Sequence, residues 1–241
     1  KIAGNLAANK NKILSLYGAI ADDGSEIDDI ANSWFIGQPI RVNYDYRMIG
    51  VWQLNEAETA ELYDRQPGAA KIEDVNGDGL INADDRQIIG QVDPKFTWGM
   101  SNTFDYKNFS LEVFLIGSHG ATRLNNILRD NTAAELRRNV YKKNWWRSDN
   151  PTNEYYANAG FAGGVRIYED ASFIRLKDVT LSYNVPVSKI GFSRLQLFVT
   201  GRNLLTITNW SGGDPELNLP SDLAGILPLQ KEYTFGVSLQ F

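Results

Sequence analysis

Apolar and polar positions alternate along several stretches of this chain, most cleanly at residues 233–241. Tyr233, Phe235, Val237, Leu239 and Phe241 fall on one face of an extended strand, and Thr234, Gly236, Ser238 and Gln240 fall on the other. A half-buried strand of a water-soluble sheet alternates in the same way. Two features favour lipid on the apolar side. About nine residues is the length a tilted strand needs to cross a bilayer, and aromatics at both ends with aliphatics between them match interfacial girdles. The same reading predicts strands at 2–14, 95–106, 109–117, 172–185, 194–205 and 231–241. Within 172–185 the apolar parity switches from Ile174 and Leu176 to Val179, Leu181 and Tyr183, which predicts a bulge near Lys177-Asp178. Within 194–205 Phe198 is the exception, an aromatic on the polar side.

The links between these strands alternate long, short, long, short, long, as they do where brief turns lie on one side of a membrane and long loops on the other. Gly37, Pro39 and Gly50 break up residues 35–54, placing that segment in an external loop rather than across the bilayer. A short capped helix is expected over 55–65 and a second over 133–146. The predicted fold class is all-β: a segment of an antiparallel transmembrane β-barrel with long extracellular loops containing short helices. About six spanning strands cannot close a plugged barrel, which needs about 22, so residues 1–241 read as the C-terminal part of a larger wall. Residues 15–94 read as a long extracellular loop region. Lys1-Ile2-Ala3 begins as if in mid-strand and no signal peptide is present, which favours a piece of something longer.

Composition narrows the function classes. A net charge of −5 with no basic stripe argues against a nucleic-acid backbone as partner. The absence of cysteine removes disulfides, thiolate nucleophiles and Cys-based zinc sites. A mean hydropathy of −0.33 gives no membrane-spanning helix, yet a barrel strand shows lipid only every second residue and keeps the average low.

A family resemblance runs through most of the sequence. Asp74-Val75-Asn76-Gly77-Asp78-Gly79-Leu80-Ile81 with Asp85-Arg86 and Ile89-Gly90, then Pro94-Lys95-Phe96 and Trp98-Gly99, resembles the C-terminal region of the SusC/RagA TonB-dependent transporters. So do residues 173–183 (FIRLKDVTLSY) and 201–208 (GRNLLTIT), with Asn9-Lys10-Asn11-Lys12-Ile13-Leu14 and Asp214-Pro215-Glu216. Thr234, Gly236, Leu239 and Phe241 resemble the C-terminal signal read by the barrel-insertion machinery. The resemblance implies a Gram-negative outer-membrane importer of oligosaccharides or peptides, capped by a SusD-like surface lipoprotein and energised by TonB. It also implies that the plug and the TonB-contacting segment belong to an N-terminal part not contained in these residues, so this chain alone should not transport.

Residues 74–85 also carry candidate chemistry. Asp74, Asn76, Asp78, the Leu80 carbonyl and Asp85 occupy positions 1, 3, 5, 7 and 12 of an EF-hand-like loop, with Gly79 at position 6. The expected cofactor is calcium, with Asp85 replacing the usual bidentate Glu; an acidic turn without metal is the other reading. Trp145, Trp146 and Trp210 are candidates for stacking on substrate, with loop packing the alternative. His119 is the only histidine, and nothing beside it supports a catalytic triad or a His-based metal site, so no enzyme is expected. The competing function is a soluble calcium-binding β-sandwich for adhesion or carbohydrate binding. That reading requires Tyr233, Val237 and Leu239 to be hidden between two layers.

Overall fold

The structure, a computed structural model, describes residues 1–125, 128, 142–157, 163–187, 193–217 and 229–241. In chain order the strands are β1 (Ile2–Ala8), β2 (Val42–Tyr46), β3 (Met48–Val51), β4 (Ala70–Ile72), β5 (Arg86–Gln91), β6 (Phe96–Tyr106), β7 (Phe109–His119), β8 (Thr122–Leu124), β9 (Tyr168–Asp170), β10 (Phe173–Val185), β11 (Arg194–Thr208) and β12 (Glu232–Gln240). A 3-10 turn at Leu54–Glu56 leads into the short helix α1 (Ala57–Leu62).

The long alternating stretches form one antiparallel sheet of six strands in the order β1-β6-β7-β10-β11-β12. Neighbours in the sheet are neighbours among these strands along the chain, as in an up-and-down barrel wall. Of the short links, Tyr106 pairs directly with Phe109, so β6 and β7 join through two residues, with Lys107 at a left-handed φ of 53°. Strand β1 ends at Ala8, well before the expected residue 14. The Asn- and Lys-rich stretch beyond it leaves the sheet, and Ile13 bridges to Ile36 instead.

The register sorts the side chains as the alternation requires. Leu181, Leu197 and Phe235 share one face with their partners Leu111, Val199 and Val237 along the sheet, while Thr180, Thr200, Ser110 and Ser182 share the other. On the polar face the Thr180 and Thr200 hydroxyls meet at 2.8 Å across β10 and β11. The apolar face is uncovered: Phe104, Leu197, Phe235 and Val237 are 57%, 43%, 80% and 61% exposed. Tyr233 and Leu239 are also open. Among the described residues the sheet is therefore a single layer, and no second layer hides Tyr233, Val237 and Leu239.

Residue-level exceptions to the alternation have packing reasons. The register shifts between Leu176 and Asp178 opposite Arg202 and Leu205, the bulge that the parity switch predicts, and Asn203 there has φ 53°. Phe198 lies across Gly236: a Cβ on that glycine would stand 2.2 Å from the ring. The aromatic covers backbone that glycine leaves bare. On the opposite face, the Trp98 indole covers Gly117 in the same way.

Packed cores form within the long links. Val51, Ala70, Ile72, Trp146, Tyr156, Ala157 and Val165 make one buried cluster, and Trp52, Ala60 and Ala69 another. Strands β2 and β5 pair with each other, as do β3 with β4 and β8 with β9, none of them joining the six-stranded sheet. The helix expected over 133–146 falls mostly outside the described residues. Its last part, 142–146, is not helical, because the Trp146 amide donates to the Tyr155 carbonyl at 2.9 Å and Trp145 bridges to Tyr155. No helix among the described residues is long and apolar enough to cross a membrane, which leaves crossing by strands unaffected.

Candidate functional site

The six-stranded wall is the first candidate surface. Its open face is lined by aliphatic side chains with aromatics towards the ends. Phe109 and Tyr183 meet in a tilted pair, ring centres 4.7 Å apart, beside the two-residue turn, and Phe96 stacks on His119 at 4.9 Å at the other end of the hairpin. The Trp98 indole nitrogen donates to His119 Nε2 at 3.1 Å, giving the single histidine a packing role on this face. Thr234 and Gly236 lie on the polar face and Leu239 on the apolar one, the disposition the alternation requires. Phe241 lies just beyond β12 and is exposed.

Towards the long-link end, the polar face carries a buried ionic knot. Arg175 is 2% exposed; its Nη2 donates to Asp214 at 2.7 Å, its Nη1 to Glu216 and its Nε to Thr206 Oγ1 at 2.9 Å. Lys177 also reaches Glu216, at 2.9 Å. Segment 210–217 is thereby fastened to β10, with the Arg123 guanidinium donating to the Pro215 carbonyl at 2.7 Å. Sequence reading missed this knot. Its only signal was Arg175 and Lys177 sitting on the polar parity of a strand whose other parity is apolar.

The acidic loop folds tightly. Gly77 and Gly79 adopt left-handed φ values of 74° and 78°, which let their amides turn inward to Asp74 at 2.7 and 2.9 Å. Asn76 Oδ1 accepts the Asp78 amide and Asp78 Oδ1 accepts the Leu80 amide. Asp85 is fully buried in a 3-10 turn (Ala83–Asp85), its carboxylate accepting the amides of Val75 and Asn82, both at 2.8 Å. Partial desolvation pushes the Asp74 carboxyl upward. The amides of Gly79 and Gly77 with the Tyr63 hydroxyl outweigh it and hold the group below its ordinary value. Among the described residues, no three acidic or histidine side chains are grouped to hold one ion. A calcium shell here would therefore draw on Asn76 and the Leu80 carbonyl as well as the carboxylates.

The tryptophans separate. Trp146 is 8% exposed, set against Gly68 and Ala157, with its indole donating to Gln53 Oε1 at 3.1 Å. Trp210 is 9% exposed, packed with Ala121 and Ala171. Burial takes both out of the role of open stacking platforms, because a ring already covered by protein has no bare face for a sugar. Trp145 is partly exposed at 5.3 Å from the Tyr155 ring. It lines a cleft of about 540 Å³ with Lys143, Trp146, Arg147, Asn150 and Ala157.

A second cleft, of about 350 Å³, runs along β3 beside Arg166 and Tyr168. Asp45 lies under its wall, 2% exposed, receiving the Tyr168 hydroxyl at 2.9 Å and Arg166 Nε at 3.0 Å. Burial, then the Asp45 charge and hydrogen bond, push the Tyr168 phenol upward against a smaller opposing effect of Arg166. Tyr168 therefore remains a neutral donor. Asp45 is spaced between Tyr44 and Tyr46, which hid its partnership with residues 166–168 from sequence reading.

No protein-family model matches the sequence. TonB-dependent receptor P3 of Formosa agariphila is 31% identical over 98% of this chain, and receptor P26 of the same organism is 32% identical over 88%. TonB-dependent receptor SusC of Bacteroides thetaiotaomicron is 24% identical over 98% of the chain. The chain spans 26%, 23% and 24% of these three relatives, about a quarter of their length. Solved structures of the RagAB peptide importer in its open-open state and of the RagAB peptide transporter superpose over the whole chain, with TM-scores of 0.72 and 0.71. At 23% and 24% identity, and with 26% and 27% of those chains covered, they establish the fold. These relatives are named as receptors and transporters rather than enzymes. Kinship along nearly the whole sequence, joined to a meander of lipid-length strands shared with those barrels, makes this chain a member of the SusC/RagA-type TonB-dependent receptors.

Proposed function

We propose that the chain forms part of the barrel wall and external loops of a Gram-negative outer-membrane importer. That importer takes up oligosaccharides or peptides, works with a SusD-like surface lipoprotein and draws energy through TonB. One observation carries the reading: a single antiparallel layer of six strands has an uncovered apolar face and a polar face tied by hydrogen bonds and ion pairs. In water that face would be a large exposed patch; against acyl chains it is at rest. Among the described residues both edges of the sheet, β1 and β12, end without a further strand, and a barrel removes such edges by pairing them. The relatives' names support TonB dependence, and the RagAB titles support import.

The test is made on the complete receptor containing these residues, extracted from membranes in mild detergent. A closed barrel gives faster gel migration before boiling than after, and sedimentation of the native protein with outer-membrane fractions. A water-soluble monomer needing no detergent would overturn the proposal. Uptake assays with candidate oligosaccharides and peptides, with and without TonB, then decide the transport step.

We further propose that residues 74–85 hold calcium. The loop presents Asp74, Asn76, Asp78 and Asp85 with their oxygens oriented by backbone amides, and among the described residues no cationic side chain is bonded to any of them. A bound ion would tie the two ends of the loop together.

A further inference from the structure

Resting on the importer reading, we propose that the cleft between residues 143–147 and Asn150 is a subsite for an anionic saccharide unit, a uronate or a sulfate ester. Its volume of about 540 Å³ lies within the range of small-molecule sites. Lys143 and Arg147 line it, and among the described residues no carboxylate does, in a chain whose overall charge is −5. Lys143 Nζ stands 5.3 Å over the Tyr155 ring and has no carboxylate partner among the described residues. Among the described residues the Arg147 guanidinium meets only Asp149, at 3.0 Å through Nε, in a pair that is 68% and 74% exposed and thus weak. Its terminal guanidinium nitrogens make no bond to described residues and remain able to form the paired contacts that carboxylates and sulfates accept.

The rest of the cleft is built in advance. Arg147 and Asn150 exchange backbone hydrogen bonds at 3.2 and 2.9 Å, and the Asn150 amide donates to Asn144 at 2.9 Å. Trp146 is fixed by Gly68 and Gln53, so the floor does not have to be ordered when a ligand arrives. Asn150 offers a side-chain carbonyl to a hydroxyl, and the half-buried Trp145 indole borders the cleft beside it. An acidic peptide would use the two cations but has little need of that combination.

The complete receptor in detergent is titrated at low ionic strength with tetragalacturonate, sulfated neocarratetraose, maltotetraose and tetraglutamate. At least one anionic tetrasaccharide should bind tenfold or more tightly than maltotetraose, and added salt should erode that margin. Which anionic probe wins identifies the anion. Replacing both cations (Lys143→Gln with Arg147→Gln) should abolish the margin over maltotetraose. Arg147 is exposed and Lys143 half-buried in a long link outside the six-stranded sheet, so the variant barrel should keep its heat-modifiable migration. Equal binding of neutral and anionic probes, a margin that survives the double substitution, no binding of any probe, or tetraglutamate binding as tightly as the saccharides would each overturn the subsite. Heat-modifiable migration that persists in any of these cases leaves the importer reading standing.

Discussion

At the scale of single residues, the knot around Arg175 is the feature most sensitive to change. Arg175 and Asp214 are each 2% exposed, so removing one partner strands the other charge away from water. Arg175→Leu should destabilise the segment by about 3–5 kcal/mol, read as faster proteolysis of residues 210–217 in the folded receptor; unchanged protection would show that the loop is held by other contacts. Gly236→Val places atoms where the Phe198 ring lies and should cost about 1–3 kcal/mol, whereas the double change with Phe198→Ala should recover part of that loss in a denaturation midpoint. Asp74 is a carboxyl with a depressed folded value, so its contribution is complete above the ordinary 3.8 and is lost as pH falls through the lower folded value. Amide exchange in residues 74–85, corrected for intrinsic rate, should stay constant from neutral pH to about pH 5 and accelerate below about pH 4. Adding calcium at neutral pH should slow the same amides, and Asp78→Ala should remove the slowing; equal exchange with chelator and with calcium would reduce the loop to an acidic turn.

At the scale of elements, the two faces of a strand should respond oppositely to the same charge. Leu197 is on the open face of β11, near the middle of its pairing with β12, and Leu197→Arg should cost about 2–4 kcal/mol by putting a cation against hydrocarbon. Gln196, its neighbour on the polar face, should accept Arg within about 1 kcal/mol. Equal costs at the two positions, measured by urea unfolding of the receptor in vesicles, would remove lipid from the apolar side. Element boundaries were legible where alternation and turn residues agreed: β6, β7, β10 and β12 lie within a residue or two of the expected spans. They were illegible where order depends on partners far away in sequence. Strand β1 stops at Ala8 because its partner β6 begins at Phe96, and nothing local to residues 9–14 announces that.

At the scale of the whole molecule, the alternation of 233–241 and its fellows determined an antiparallel wall with one greasy and one polar face. A period of two can be read from residue types alone. The bulge at Lys177-Asp178 was equally legible, since a parity switch in mid-strand has no other local explanation. The tertiary structure alone decided what the long links do. It joined Trp146 and Tyr156 to Val51 and Ala70 in a core, turning an expected stacking ring into a packing residue. It set Asp45 under Tyr168 and brought Asp214 to Arg175. Burial and ion pairing depend on which distant segments meet, and irregular loops have no repeat from which those meetings can be inferred. A strand carries its two environments in its own period; a loop acquires its environment from whatever folds against it.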